Sequence, residues 1–127
     1  MIAQIIIADD DENIAALLGE YLASKQHRVI LVYDGFQLAQ KAAQYRPHLI
    51  ITDIQMPGAY GSSVYQVLQK DPKTSKIPII FISAHSLEKL QSLLPDDPKT
   101  RFLPKPISLP ELEALIKELL PMGGYIP

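Results

Sequence analysis

Leu49-Ile50-Ile51-Thr52-Asp53 runs three branched apolar side chains in succession, without polar alternation, into a hydroxyl and a carboxylate. A strand with one wet face alternates apolar and polar residues. A near-continuous apolar run is what a parallel strand covered on both faces requires. Ile5-Ile6-Ile7-Ala8, Val29-Ile30-Leu31-Val32 and Ile79-Ile80-Phe81-Ile82 repeat the pattern, and the shorter Arg101-Phe102-Leu103 is read as a fifth strand.

Segments of helical period separate these runs. Ile14, Leu17, Leu18, Tyr21 and Leu22 lay an apolar stripe after the first strand. Asp34-Gly35 offers a turn and cap before a second helix whose buried side holds Leu38, Ala39, Ala42 and Ala43, stopped by Pro47. A third helix follows Gly61 with Val64, Val67 and Leu68 and ends before Pro72. A fourth runs through Leu87, Leu90, Leu93 and Leu94 to Pro95. The last is opened by a capping box, Ser108 with Glu111, carries Leu109, Leu112, Leu115, Ile116 and Leu119, and is closed by Pro121. Five strand-helix units predict an α/β fold with a mostly parallel sheet and right-handed crossovers, helices covering both faces. One domain is expected over residues 1–127, with a core from 4 to 120 and a frayed tail from 121 to 127.

Composition narrows the function classes. Of 127 residues, 47% are hydrophobic and 20% charged, near globular averages. The net charge of −2, with both signs interspersed, leaves no broad cationic surface for nucleic acid. No cysteine is present, which removes thiolate chemistry and is compatible with a reducing compartment. The opening apolar run is too short for a signal core or membrane span, so a cytoplasmic location and no membrane partner are expected.

Ligands of open α/β sheets bind beyond the carboxyl ends of the strands. At that edge the sequence puts Asp9, Asp10 and Asp11 after the first strand, Asp53 after the third, Ser83 after the fourth and Lys105 after the fifth. Clustered carboxylates raise one another's pKa unless a cation neutralises them, and carboxylate and carbonyl oxygens suit magnesium or manganese. Taken singly, each residue has a bland reading: acids at a helix N-terminus favour its dipole, and Ser, Asp and Lys serve turns and caps. Capping does not require all of them at the same end of four strands. A carboxylate nucleophile receiving a phosphoryl group whose oxygens meet a metal ion, an ammonium and a hydroxyl does require them. Asp53 is best placed as that nucleophile, with the metal on the side of Asp9 and Asp10.

With these residues in view, the chain resembles the receiver domain of bacterial response regulators from Gln4 to Leu120. The resemblance rests on Ile-Ile-Ala-Asp9-Asp10-Asp11, on Asp53-Ile-Gln-Met56-Pro57-Gly58 with Gly61, on Ile-Ile-Phe-Ile-Ser83-Ala84 and on Leu-Pro-Lys105-Pro106. It implies a flavodoxin-like doubly wound sandwich, with a five-stranded parallel sheet of order 2-1-3-4-5 and five helices. Asp53 would take its phosphoryl group from a sensor histidine kinase or histidine phosphotransfer protein. Asp10, Asp53 and the backbone carbonyl of Gln55 would bind magnesium, with manganese as a substitute, and Asp9 would support the site through water. Ser83 and Lys105 would contact the phosphoryl oxygens, Lys105 preceding a cis Pro106. Phe102 would hold the aromatic switch position, moving with Ser83, so that a face made by the fourth helix, fifth strand and fifth helix is read by a downstream protein. Such a chain is no enzyme toward external substrates; it catalyses its own phosphotransfer and slow autodephosphorylation, as a monomer or a phosphorylation-dependent dimer.

Departures and competing readings bound this expectation. Ala59-Tyr60-Gly61 replaces the family's commoner hydrophobic-Asp-Gly, and Leu94-Pro95-Asp96-Asp97-Pro98-Lys99-Thr100 stands where an Ala-Gly-Ala-type turn is usual. Gln55 and His85 occupy positions that tune phosphoryl lifetime in the family. His85 is read as a solvent-facing residue at a helix start, since no second histidine is near in sequence, and His27 and His48 are likewise read as ordinary. Phe102 serves equally as a plain core aromatic, and Tyr60 leaves a minor gating role open. An aspartyl-phosphate phosphatase usually carries a second Asp where this chain has Gln55. A flavin site would meet repulsion from Asp9 to Asp11. The main alternative is a receiver-fold interaction module that works without phosphorylation.

Overall fold

The computed structural model describes residues 2–56, 59–85 and 94–124. Along the chain run β1 (Gln4–Ala8), α1 (Glu12–Ser24), β2 (Arg28–Val32), α2 (Gly35–Tyr45), β3 (Leu49–Asp53), β4 (Gln55–Met56), β5 (Ala59–Tyr60), α3 (Gly61–Lys70), β6 (Ile79–Ser83), β7 (Thr100–Pro104) and α4 (Leu109–Leu119), then a 3₁₀ turn at Leu120–Gly123. The main sheet has the order β2-β1-β3-β6-β7, every pairing parallel. In terms of the five long strands this is the expected 2-1-3-4-5.

All five residues of β3 and of β6 are buried, as two-sided coverage demands. Successive side chains go to opposite faces. Ile5, Ile7, Leu49, Ile51, Ile80, Ile82 and Leu103 pack with Leu18 and Leu22 of α1 and Leu112, Ile116 and Leu119 of α4. Ile6, Ala8, Ile50, Ile79 and Phe81 pack on the other face with Leu38 and Ala42 of α2 and Val64 and Leu68 of α3. Each fully buried Ile or Leu contributes about 1.5–3 kcal/mol relative to exposure, so the apolar runs hold the sheet in register.

Capping fixes where the helices begin. Asp11 Oδ1 accepts from the N–H groups of Asn13 and Ile14, Asp34 Oδ1 from Gln37, and Ser108 Oγ from Glu111. Two residues placed on apolar stripes are instead exposed: Leu17 at 64% and Val67 at 53%. The buried stripe of α1 is Ala15, Leu18, Gly19 and Leu22; at about 100° per residue Leu17 falls on its far side. The tail expected to fray from Pro121 begins with the 3₁₀ turn, and Leu120 is buried.

The described residues carry four α-helices. The expected helix through Leu87, Leu90 and Leu93 lies outside them, as do Pro57 and Gly58. The antiparallel pair β4–β5, which joins Gln55 to Tyr60 and Met56 to Ala59, was not expected. Two residues a strand are too few to show a period. No helix among the described residues is long and apolar enough to cross a membrane.

Candidate phosphoacceptor and metal site

Parallel order brings the carboxyl ends of β1, β3, β6 and β7 side by side, and the residues that end or follow them converge. Ala8 pairs with Thr52, Asp53 with Ile82, and Ser83 with Pro104. Asp9 is fully buried, Asp53 is 7% exposed and Ser83 is buried, whereas Asp10 is exposed. Donor oxygens of Asp9, Asp10 and Asp53 lie within 4.8 Å of one another.

The three consecutive aspartates have separated roles. Asp11 caps α1, so the bland reading holds for it. Asp9 Oδ1 accepts from the Asp11 N–H at 2.9 Å, which ties the buried carboxylate to the start of that helix. Asp10 reaches the cluster from the solvent side.

Lys105 spans the two buried acids. Its Nζ donates to Asp53 Oδ2 at 2.8 Å and lies 2.9 Å from Asp9 Oδ2. The contact with Asp9 is an ion pair without hydrogen-bond alignment, so Asp9 Oδ2 stays buried with no hydrogen bond. Burial pushes the Asp9 carboxyl above its ordinary range despite the Asp11 N–H and the Lys105 ammonium, and Asp53 adds to the rise. Burial alone would lower the Lys105 ammonium, but Asp53 and Asp9 outweigh it and hold it above its ordinary value. The peptide bond from Lys105 to Pro106 is cis, as expected.

The other oxygen of Asp53, Oδ1, accepts from the Gln55 N–H at 2.9 Å. Ser83 Oγ accepts from the His85 N–H at 3.0 Å, and the Ser83 carbonyl accepts from the Lys105 N–H at 2.8 Å. Accepting uses a lone pair of the hydroxyl and leaves its proton to donate. Phe102 is half-buried, in register with Phe81 and packed on the α2–α3 face of the sheet. The backbone contacts of Gln55 and His85, and the double pairing of Lys105, had no signal in the sequence.

These residues fit a hard divalent cation. The donors are all oxygens, three carboxylates face one ammonium, and one buried carboxylate oxygen lacks a hydrogen bond. The surplus of two negative charges is what a divalent ion neutralises. Among the described residues no other group of three or more His, Asp or Glu side chains could hold a metal. His27 Nδ1 and His48 Nδ1 accept from the N–H groups of Ala3 and Gln4, at the amino end of β1.

Comparison with known proteins agrees with this geometry. The response regulator PleD of Caulobacter vibrioides is 33% identical over 121 residues, 94% of this chain and 26% of PleD. The polar-differentiation response regulator DivK of Brucella anthropi is 27% identical over 116 residues, 91% of this chain and 94% of DivK. The chain spans about half or less of the length of most curated relatives it matches. Among solved structures, the receiver domain of the sensor histidine kinase PA1611 from Pseudomonas aeruginosa PAO1, which holds a magnesium ion in its active-site cleft, shares the fold with a TM-score of 0.87. Identity there is 24%, over 95% of this chain and 99% of that one. The family model for the response regulator receiver domain matches residues 5–117, and the chain belongs to that family.

Proposed function

We propose that the chain is a phosphorylation-driven switch in which Asp53 accepts a phosphoryl group from a sensor histidine kinase or histidine phosphotransfer protein. The observation that carries this reading is Asp53 itself. It is a nearly buried carboxylate whose Oδ1 is steadied by the Gln55 N–H and whose Oδ2 is paired with Lys105, beside Asp9 and Asp10. A carboxylate so placed is oriented and desolvated for attack while its countercharge is already present.

In this reading an Asp53 oxygen forms a bond to phosphorus as the phosphorus–nitrogen bond to the donor histidine breaks, the electron pair leaving with the imidazole. Asp10, Asp53 and the Gln55 carbonyl would hold magnesium, with Asp9 supporting the site through water and manganese as a substitute. When bound, the ion offsets negative charge on the transferring oxygens. Lys105 turns from the carboxylates to a phosphoryl oxygen, and the Ser83 hydroxyl donates its free proton to another.

The same shift reaches the surface. Ser83 and Phe81 share β6, Phe81 pairs with Phe102, and the Ser83 carbonyl holds the Lys105 N–H. Inward movement of Ser83 and Lys105 biases Phe102 and the face at β7 and α4, which a downstream protein reads. Hydrolysis of the acyl phosphate resets it, and phosphorylation-dependent dimerisation on that face is an allowed output. The protein acts in the cytoplasm, with neither nucleic acid nor membrane as its direct partner.

The test is chemical trapping. After incubation with acetyl phosphate and magnesium, hydroxylamine converts an aspartyl phosphate into a hydroxamate, and peptide mass spectrometry expects that mark on Asp53. A hydroxamate on another carboxylate would displace Asp53 from the role.

A further inference from the structure

The face of β3 beneath α2 and α3 carries a polar residue that the switch chemistry leaves unused. Thr52 is 2% exposed and shares its face of the sheet with Ile50, paired in register with Ala8 and Phe81. Those neighbours belong to the apolar cluster beneath α2 and α3. Valine would fill the same shape with the same strand preference and no polar atom, and a hydroxyl in such surroundings is costly without a partner. Its partner is the backbone carbonyl of Asp53, to which Thr52 Oγ1 donates at 3.0 Å.

That carbonyl belongs to the peptide unit joining Asp53 to Ile54, whose N–H donates to the Ile82 carbonyl at 3.0 Å. The peptide is thus held at both ends, by Thr52 and by β6. Immediately beyond it, the Gln55 N–H caps Asp53 Oδ1. This one peptide lies between Asp53 and the Gln55 N–H that contacts its carboxylate.

We propose that Thr52 is a positioning residue for the phosphoacceptor site. Its hydroxyl clamps the Asp53–Ile54 peptide and thereby orients the Asp53 carboxylate and the Gln55 backbone toward the cation and the phosphoryl donor. This rests on the reading of Asp53 as phosphoacceptor. A merely structural threonine would satisfy a buried carbonyl and alter stability alone.

The experiment compares Thr52→Val and Thr52→Ser with the native chain in the full-length protein. In ¹⁵N-labelled, metal-free protein, Thr52→Val shifts the Gln55 amide resonance and Thr52→Ser restores it. Titrated with magnesium alone, Thr52→Val binds about tenfold more weakly, as for other groups that orient a metal ligand indirectly, while Thr52→Ser stays within about twofold. The rate of Asp53 labelling by acetyl phosphate follows the same order, and the melting temperature of Thr52→Val stays within about 4 °C of the native value. Should Thr52→Val fail to fold, Thr52→Ala is read in its place.

Native magnesium affinity and an unmoved Gln55 amide in the hydroxyl-free variant would overturn the proposal. So would equal defects in Thr52→Ser and Thr52→Val, which would assign the effect to packing. A native chain that binds magnesium but gives no Asp53 adduct would instead overturn the phosphoacceptor reading, while the amide and magnesium readouts still decide whether Thr52 positions the carboxylate.

Discussion

One ammonium serves two buried carboxylates: Lys105 Nζ lies 2.8 Å from Asp53 Oδ2 and 2.9 Å from Asp9 Oδ2. Removing one member of a buried ion pair leaves uncompensated charge. Lys105→Met is therefore expected to lose about 3 kcal/mol of stability in metal-free buffer at neutral pH, near the low end for a buried pair. Magnesium should recover part of that loss by taking up the surplus negative charge. Urea denaturation with and without magnesium measures both; a variant as stable as the native chain without metal would contradict the pairing.

Asp9 predicts the opposite sign. Its folded-state pKa is raised above the unfolded value of 3.8, so the folded chain holds the proton more tightly. Stability from this group is present below that value and is lost as pH rises through the folded pKa. At neutral pH the buried Asp9 is therefore a net cost, and Asp9→Asn should stabilise the metal-free chain by about 0.5–2 kcal/mol while weakening magnesium binding. Melting curves paired with magnesium titrations check the trade.

The segment before β7 is held to α3 by a clasp. The Tyr65 hydroxyl donates to Asp97 Oδ2, Lys99 pairs with the same carboxylate and donates to Gln69 Oε1 at 3.0 Å, and the Lys99 ammonium lies 5.6 Å from the Tyr65 ring centroid. Burial, then the Asp97 hydrogen bond, pushes the Tyr65 hydroxyl up to about 12. Tyr65→Phe should cost about 1.5–3 kcal/mol, the range for a hydrogen bond to a charged group. A double-mutant cycle with Asp97→Asn checks that the loss belongs to this pair.

The clasp also has a pH signature. Burial alone would raise the Asp97 carboxyl, but Lys99 and Tyr65 outweigh it and hold it below its unfolded value of 3.8. Its contribution is complete above that value and is lost as pH falls through the lower folded pKa. Below pH 4 the stability gap between the native chain and Asp97→Asn should narrow. A constant gap down to the acid limit would contradict the ionised pairing.

Much of this was legible in the chain. The apolar runs at Ile5, Leu49 and Ile79 announce strands because two-sided burial leaves no room for polar alternation, and once the strands are parallel Asp9, Asp53, Ser83 and Lys105 must share an edge. What could not be read depends on three-dimensional distance. Lys105 meets Asp53 across 52 positions and Tyr65 meets Asp97 across 32, and neither pairing leaves a local pattern. The stretch from Leu94 to Thr100 stood out as a departure, but its attachment to α3 emerges only from packing. Leu17 misled because an apolar residue at helical spacing still falls off the buried stripe when its angular position is wrong. The role of Thr52 could not be read either, since its hydroxyl bond to the next carbonyl has no sequence signature.

The central claim is that Asp53 is the phosphoacceptor of a magnesium-dependent switch. Intact-mass analysis under rapid quench, after acetyl phosphate with or without magnesium, compares the native chain with Asp53→Asn. The account predicts a single phosphoryl adduct on the native chain that disappears when either magnesium or Asp53 is removed. A folded native chain that binds magnesium yet gives no adduct, with a histidine kinase as well as the small donor, would contradict it and leave a receiver-fold module that works without phosphorylation.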